Sequence, residues 1–178
     1  MPKVFRTSQD IDGCCANLYG ALLIKASQIG LAPLPSWNEI HSYKDPFPGF
    51  YSVYSAVERD LEFWSSLPVL DRPPYAPTVY LSHRPSIPGL IEITRQWLRR
   101  NGLPAAPIYF VDLGGPAGEY GKALAMRDLD IDLMIEDSGH TYRLLRELGL
   151  KAKLLDRPWN RDVDAGADRV PSLTAAYN

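Results

Sequence analysis

The sequence predicts one α/β domain, in which helices flank a parallel β-sheet. The chain has 178 residues, and its hydrophobic fraction of 46% and charged fraction of 22% are ordinary for a globular domain. Short apolar runs alternate along it with amphipathic stretches of helical length, which is typical of the α/β class. Most of these runs are continuously apolar, as expected for strands that are buried on both faces of a parallel sheet.

Five apolar runs are the predicted strands. In chain order they are Val4-Phe5, Thr78–Leu81, Ile108–Val111, Leu133–Ile135 and Ala152–Leu155. Between the later strands, amphipathic spacing predicts three helices, at Gly89–Arg100, Glu119–Met126 and Ser138–Leu148. A glycine-rich segment at residues 114–118 lacks the Gly-Lys-Ser/Thr spacing of a phosphate-binding loop, and we predict a plain loop there.

Residues 16–77 interrupt this alternation of strands and helices. They contain an amphipathic stretch at Leu18–Ile29, a helix start with capping-box spacing at Ser36–Glu39, and a helical stretch at Tyr51–Trp64. We therefore predict a helical cap inserted after the first strand, with residues 1–15 and 78–160 forming the α/β core. Residues 161–178 are charged and rich in small side chains, and we expect an irregular tail there.

The charge balance and the cysteines narrow the class of protein. Nineteen Lys and Arg residues stand against 21 Asp and Glu residues, a net charge of -2. Nucleic-acid binding by bulk electrostatics is therefore not expected, although a local basic patch stays open. The two cysteines, Cys14 and Cys15, are adjacent and give no disulfide framework. No apolar stretch approaches the roughly 20 residues of a membrane span, and we expect a cytoplasmic protein.

Polar side chains cluster just after the predicted strands and at the start of the short helix. They are Asp10, Asp12, Ser82, Arg84, Lys122, Glu136 and Asp137. In sheets of this class, ligands bind beyond the carboxyl ends of the strands, so these side chains are expected to converge. Carboxylates that converge repel one another unless a cation lies among them, and their hard oxygen atoms suit Mg²⁺ better than zinc. A lysine and a hydroxyl can then hold the oxygens of a phosphoryl group.

The order of these motifs resembles that of the haloacid dehalogenase-like superfamily of phosphatases. Asp10-Ile11-Asp12-Gly13 looks like its first motif, Ser82 after an apolar strand like its second, Lys122 like its third and Glu136-Asp137 like its fourth. The agreement extends from about Lys3 to Asn160. Within the superfamily, Leu81–Pro85 and Leu155–Asn160 are similar to the 5'(3')-deoxyribonucleotidase-like branch, and Phe63–Pro68 looks like the small cap of that branch.

The resemblance implies a Rossmann-like core and a Mg²⁺-dependent phosphomonoesterase. Its substrate would be a small phosphate monoester, with a (deoxy)nucleoside monophosphate as the expected case. Asp10 would attack phosphorus to form an aspartyl-phosphate, and Asp12 would act as general acid and then as general base. The implied Mg²⁺ ligands are the Asp10 carboxylate, the Asp12 backbone carbonyl and Asp137, with Glu136 in support. Ser82, Lys122 and Arg84 would bind the phosphoryl group.

Two alternatives and one substrate contact stay open. The same chemistry would serve a phosphatase of polynucleotide 3' ends, and the scaffold could also be a non-catalytic phosphate- or protein-binding module. Most aromatic residues of the insertion are expected to form its own small core. Phe47 and Phe50 flank Pro48-Gly49 on a predicted loop, and they are the candidates for stacking on a nucleobase.

Overall fold

A computed structural model describes residues 4–111 and 118–178, so that most of the glycine-rich loop predicted at residues 114–118 lies outside the described residues. Within these ranges six strands form one sheet. They are β1 (Thr7–Gln9), β2 (Val79–Ser82), β3 (Ile108–Phe110), β4 (Leu133–Glu136), β5 (Ala152–Leu155) and β6 (Arg169–Val170). Their order is β3-β2-β1-β4-β5-β6, and every neighbouring pair is parallel. The predicted α/β class with a Rossmann-like parallel sheet is confirmed.

Helices cover both faces of this sheet. The structure has α1 (Leu18–Gln28), α2 (Phe50–Val57), α3 (Leu61–Ser66), α4 (Leu90–Arg100), α5 (Gly121–Asp128), α6 (Gly139–Glu147) and α7 (Leu173–Tyr177). Successive side chains of β2 point to opposite faces. Tyr80 belongs to the apolar cluster that contains α4 and α7, whereas Leu81 belongs to the cluster that contains α5 and α6. None of the helices in the described ranges is long and apolar enough to cross a membrane.

The first strand lies later in the chain than the apolar run Val4-Phe5, whose side chains are exposed. The strand β1 is polar, yet Ser8 and Gln9 are completely buried. The Ser8 hydroxyl donates to the Met134 sulfur at 2.9 Å, and the Tyr177 hydroxyl donates to Gln9 Oε1 at 2.8 Å. Because these buried polar groups have partners, a polar strand can occupy the centre of the sheet.

The inserted residues fold onto themselves and onto the core. A small apolar cluster is shared by α1, α2 and the loop between them, and it consists of Leu22, Ala26, Phe47, Val53 and Val57. The stretch predicted as one helix at Tyr51–Trp64 is two helices, because Asp60 caps α3 by accepting from two backbone N–H groups. The first residue of the insertion, Ala16, pairs with Val69 near its other end. This pairing supports our proposal that residues 16–77 are one cap.

The tail is ordered, and our expectation of an irregular segment at residues 161–178 is wrong. There β6 pairs with β5, and α7 buries Leu173 and Ala176. Arg169 is held by Asp156, Asn160 and the Val163 carbonyl. Arg169 therefore anchors the segment to the core. The strand β6 has only two residues, which is too short to give a recognisable pattern in the sequence.

Candidate active site

The carboxyl ends of three adjacent strands carry the predicted site. Asp10 directly follows β1, Ser82 ends β2 and Glu136 ends β4, while Lys122 lies in the first turn of α5. These three strands are neighbours in the sheet, with β1 between β2 and β4. All four of these side chains are buried. The parallel topology thus brings together residues that are more than 120 positions apart, as the motifs predicted.

Lys122 bridges two carboxylates at the centre of the site. Its ammonium group lies 2.6 Å from Asp10 Oδ2 and 2.8 Å from Glu136 Oε2. Burial alone would lower the pKa of this lysine, but the charges of Asp10 and Glu136 outweigh burial and raise the pKa above its ordinary value. Lys122 is therefore a fixed positive charge that orients the Asp10 carboxylate.

Asp10 combines burial with a partly compensated charge. Its Oδ1 atom accepts the Ile11 backbone N–H at 2.7 Å. In the absence of a cation, burial raises the pKa of Asp10 to about 7, with Lys122 opposing the shift and Glu136 and Asp12 adding to it. A cation beside Asp10 would favour its ionised form, which is the form that can act as a nucleophile.

Three carboxylates form a pocket that fits a divalent cation. Oxygen atoms of Asp10, Glu136 and Asp137 all lie within 4.8 Å of one another, and all three residues are buried. Burial, followed by the charges of Glu136 and Asp10, raises the pKa of Asp137. Asp137 forms no ion pair with any residue that the structure describes. Lys122 and Arg157 oppose this rise in pKa only in part, and the three buried carboxylates offer the hard oxygen donors that fit Mg²⁺.

The Asp137 carboxylate is fixed by residues whose roles the sequence did not indicate. Trp159 Nε1 donates to Asp137 Oδ2 at 2.9 Å, and Asn160 Nδ2 donates to the Asp137 backbone carbonyl at 2.7 Å. Gly13, with a φ of 74°, lies so close that an added Cβ would be 1.9 Å from Asp137 Oδ2. Arg157 donates to the Gly13 carbonyl at 2.7 Å. The motif Leu155–Asn160 marked this segment, but only the structure shows what it does.

Glu136 has a different environment from its two neighbours. Its Oε1 atom accepts the backbone N–H groups of Asp137 and Ser138, and its Oε2 atom accepts from Lys122. Both oxygens therefore already have donors. Glu136 thus positions Lys122 and the loop that carries Asp137, and its expected role in support of the metal stays a prediction.

Asp12 is paired with Arg84 beside this cluster. The Arg84 guanidinium contacts both Asp12 carboxylate oxygens at 2.8 Å, and the Ser82 hydroxyl lies 3.3 Å from Asp12 Oδ2. We predicted that Arg84 binds phosphate; in the structure it lines the same cavity as Ser82, but its side chain has no exposed surface and its guanidinium is paired with Asp12. Sequence order places Arg84 at the right loop, yet it does not determine the direction of the side chain.

A cavity of about 580 Å³ opens over these residues. Its core side contains Asp10, Asp12, Ser82 and Glu136, and its cap side is aromatic, with Tyr19, Tyr43, Phe50, Tyr51, Tyr54 and Trp64. Of the two aromatic residues predicted to contact substrate, Phe50 lines the cavity. Phe47 does not, because it is 2% exposed within the apolar cluster of the cap.

His83 also lines the cavity, next to Ser82. We expected a surface or hydrogen-bonded histidine, whereas its Nε2 atom is buried and has no hydrogen-bond partner among the described residues. Burial, together with the charges of Lys122 and His140, lowers the pKa of His83 to about 2. The imidazole is therefore neutral, and it does not contribute a positive charge to the site.

Comparison with known proteins supports the fold. No protein-family model and no curated protein matches the chain. Among solved structures, the chain is similar to CbbY from Rhodobacter sphaeroides, solved in complex with phosphate, with a TM-score of 0.53 and 17% sequence identity. The similarity covers 96% of this chain and 95% of CbbY. At this identity the comparison shows a shared fold, and it agrees with the predicted α/β class with a Rossmann-like parallel sheet.

Proposed function

We propose that this protein is a Mg²⁺-dependent phosphomonoesterase of the haloacid dehalogenase type. The observation that carries the proposal is the convergence of Asp10, Lys122 and Asp137, in which a candidate nucleophile lies between a fixed positive charge and a carboxylate pocket for a cation. A carboxylate nucleophile needs no general base, and phosphoryl transfer requires chiefly positioning and charge stabilisation. The site supplies both.

The residues divide the reaction between them. Asp10 forms a bond to phosphorus while the bond from phosphorus to the leaving oxygen breaks, and Asp12 gives that oxygen a proton. Water then attacks phosphorus and Asp12 takes a proton from this water, while the bond from phosphorus to Asp10 breaks and releases inorganic phosphate and the Asp10 carboxylate. Ser82 and Lys122 bind the phosphoryl oxygens. The Asp10 and Asp137 carboxylates and the Asp12 backbone carbonyl would hold Mg²⁺, which offsets the negative charge of the phosphoryl group.

The cavity favours a small substrate with a flat, aromatic part. Its volume of about 580 Å³ suits a mononucleotide, and aromatic rings line its cap side. Stacking of a base on such a ring contributes about 1–3 kcal/mol. We therefore propose a (deoxy)nucleoside monophosphate of the 5'(3')-deoxyribonucleotidase-like type, with Phe50 as one stacking residue. Phe47 is not part of this proposal.

A panel of phosphate monoesters, assayed with and without Mg²⁺, tests the proposal. We expect Mg²⁺-stimulated hydrolysis, with mononucleotides among the best substrates. Asp10→Asn should lower turnover by about 10³-fold or more, while Asp45→Asn, a matched change at an exposed position, should retain it. Unchanged turnover in Asp10→Asn would exclude Asp10 as the nucleophile. Preference for an oligonucleotide with a 3'-phosphate would favour a polynucleotide phosphatase, and no hydrolysis of any ester would favour a binding module.

A further inference from the structure

The Arg84 guanidinium is completely buried and forms an ion pair with the Asp12 carboxylate. Its Nε atom donates to Asp12 Oδ2 and one terminal nitrogen donates to Asp12 Oδ1, both at 2.8 Å. This two-point pairing fixes the plane of the carboxylate as well as its position. Both residues line the cavity, but the Asp12 side chain is 15% exposed, whereas that of Arg84 has no exposed surface.

Two further contacts hold Arg84 besides the pairing with Asp12. Its other terminal nitrogen donates to Thr94 Oγ1 at 2.9 Å, and that hydroxyl donates to the Leu90 carbonyl within α4. The Trp64 ring of α3 lies 4.9 Å from the centre of the guanidinium, a cation–π distance. The core and the inserted cap therefore both fix the orientation of Arg84.

This arrangement leaves Arg84 poorly placed for a phosphate. An arginine that binds a phosphoryl group presents its N–H groups to the ligand, but here three of the five N–H groups donate to protein atoms and the side chain has no exposed surface. Replacement of a buried ion pair by apolar groups is often neutral for stability or stabilising. A function at Asp12 therefore explains this pair better than stability does.

We propose that Arg84 is a positioning residue, which aims the Asp12 carboxyl group at the leaving-group oxygen and does not bind the phosphoryl group. This inference rests on the proposed phosphatase function. When the bond from phosphorus to oxygen breaks, the Asp12 proton moves to the leaving oxygen and Asp12 becomes a carboxylate paired with Arg84. A sugar alkoxide is a strong base that needs this proton, whereas nitrophenolate is a weak base that leaves without it. Arg84 should therefore matter mainly for substrates with poor leaving groups.

The test compares kcat/KM for a nucleoside 5'-monophosphate with kcat/KM for p-nitrophenyl phosphate, because kcat/KM includes the step in which the leaving group departs. Arg84→Lys should lower the value for the nucleotide by about 10²-fold, the scale of general acid catalysis, and the value for the nitrophenyl ester far less. Thr94→Val removes the hydroxyl that accepts from Arg84 and donates to the Leu90 carbonyl, and it keeps both residues of the Arg84–Asp12 pair. It should shift the ratio of the two kcat/KM values in the same direction by a smaller factor. Arg95→Lys, at an exposed position on α4, should leave both values unchanged.

Two further measurements separate positioning from phosphate binding. Inhibition by inorganic phosphate should be unchanged in Arg84→Lys if Arg84 does not contact the phosphoryl group. In an Asp12→Asn background, Arg84→Lys should add no further selective loss, because the two residues act as one unit.

Equal losses on both substrates, together with weaker phosphate inhibition, would overturn the inference while leaving the proposed function intact. If the unmodified protein hydrolyses neither ester, the proposed function fails and this inference fails with it. If Arg84→Lys does not fold, Thr94→Val decides the question, and an unchanged substrate ratio in that variant would also overturn the inference.

Discussion

Replacing Lys122 with methionine would leave two buried carboxylates without their shared positive charge. Methionine fills much of the same space, so the change removes chiefly the contacts to Asp10 and Glu136 at 2.6 and 2.8 Å. Loss of one partner of a buried ion pair costs about 3–5 kcal/mol. That is a large share of the about 5–15 kcal/mol by which domains are stable. We expect the free energy of unfolding at about pH 8, without metal, to fall by this amount.

The cost should depend on pH in a defined direction. Lys122 opposes the rise in the pKa of Asp10, which lies at about 7 with the lysine present, so in the variant this pKa rises further. A carboxyl whose native pKa exceeds its unfolded value binds more protons in the native state, and stability is lost as pH rises through the native pKa. At about pH 5 Asp10 is largely protonated in the native variant, and the loss of stability should be smaller.

Urea unfolding at about pH 5 and about pH 8, in the presence of a chelator, measures both effects. Lys151→Met, at an exposed position, is the matched control and should behave as the unmodified protein at both pH values. Addition of Mg²⁺ should reduce the difference in free energy of unfolding between the variant and the unmodified protein at about pH 8. The bound cation would offset the charges of Asp10 and Glu136, which have lost their lysine partner. An equal loss of stability at both pH values, or a loss below about 1 kcal/mol at pH 8, would refute the reasoning.

Three further changes test other contacts of the fold and the site. Trp159→Phe removes the hydrogen bond to Asp137 Oδ2 and should weaken Mg²⁺ binding by about 10–100-fold in calorimetric titration, whereas unchanged affinity would contradict the proposed ligand. Gly13→Ala places a Cβ 1.9 Å from Asp137 and should abolish Mg²⁺-dependent turnover. Gly149→Ala has a similar φ of 73° with no atom within 4 Å, so it should cost only stability. Tyr177→Phe should lower the free energy of unfolding by about 1–3 kcal/mol in urea, because a buried amide oxygen of β1 loses its donor.

The parts of the sheet and the site that the sequence predicted are those marked by a local pattern of residues. Strands such as β2 and β4 are continuous apolar runs, and parallel strands place the residues that follow them at one edge of the sheet. The predicted first strand lies too early in the chain, because the polar residues of β1 are typical of a loop. The buried polar groups of β1 have distant hydrogen-bond partners, such as Tyr177, 168 positions away from Gln9. No window of the sequence contains both residues of this pair.

The sequence also did not predict the direction in which some side chains point. Arg84 and Phe47 lie in the predicted loops, but one points at Asp12 and the other into the core of the cap. What decides the direction of Arg84 is the combination of Thr94 on α4 and Trp64 on α3, two helices whose packing follows only from the complete fold. The motifs therefore predict which residues lie at the same edge of the sheet. The tertiary structure determines where each side chain points.

The adjacent thiols of Cys14 and Cys15 can report whether the loop that follows β1 opens. Both are completely buried directly behind the Asp-x-Asp-Gly segment, and burial raises the pKa of both thiols. Alkylating reagents react with the thiolate, so neither cysteine can be labelled until the loop separates from the sheet. Cys14 Sγ lies 3.9 Å from Asp137 Oδ1, so a cation that tethers this carboxylate to Asp10 should also slow the modification. The rate at which the two cysteines are alkylated thus measures how often the loop opens.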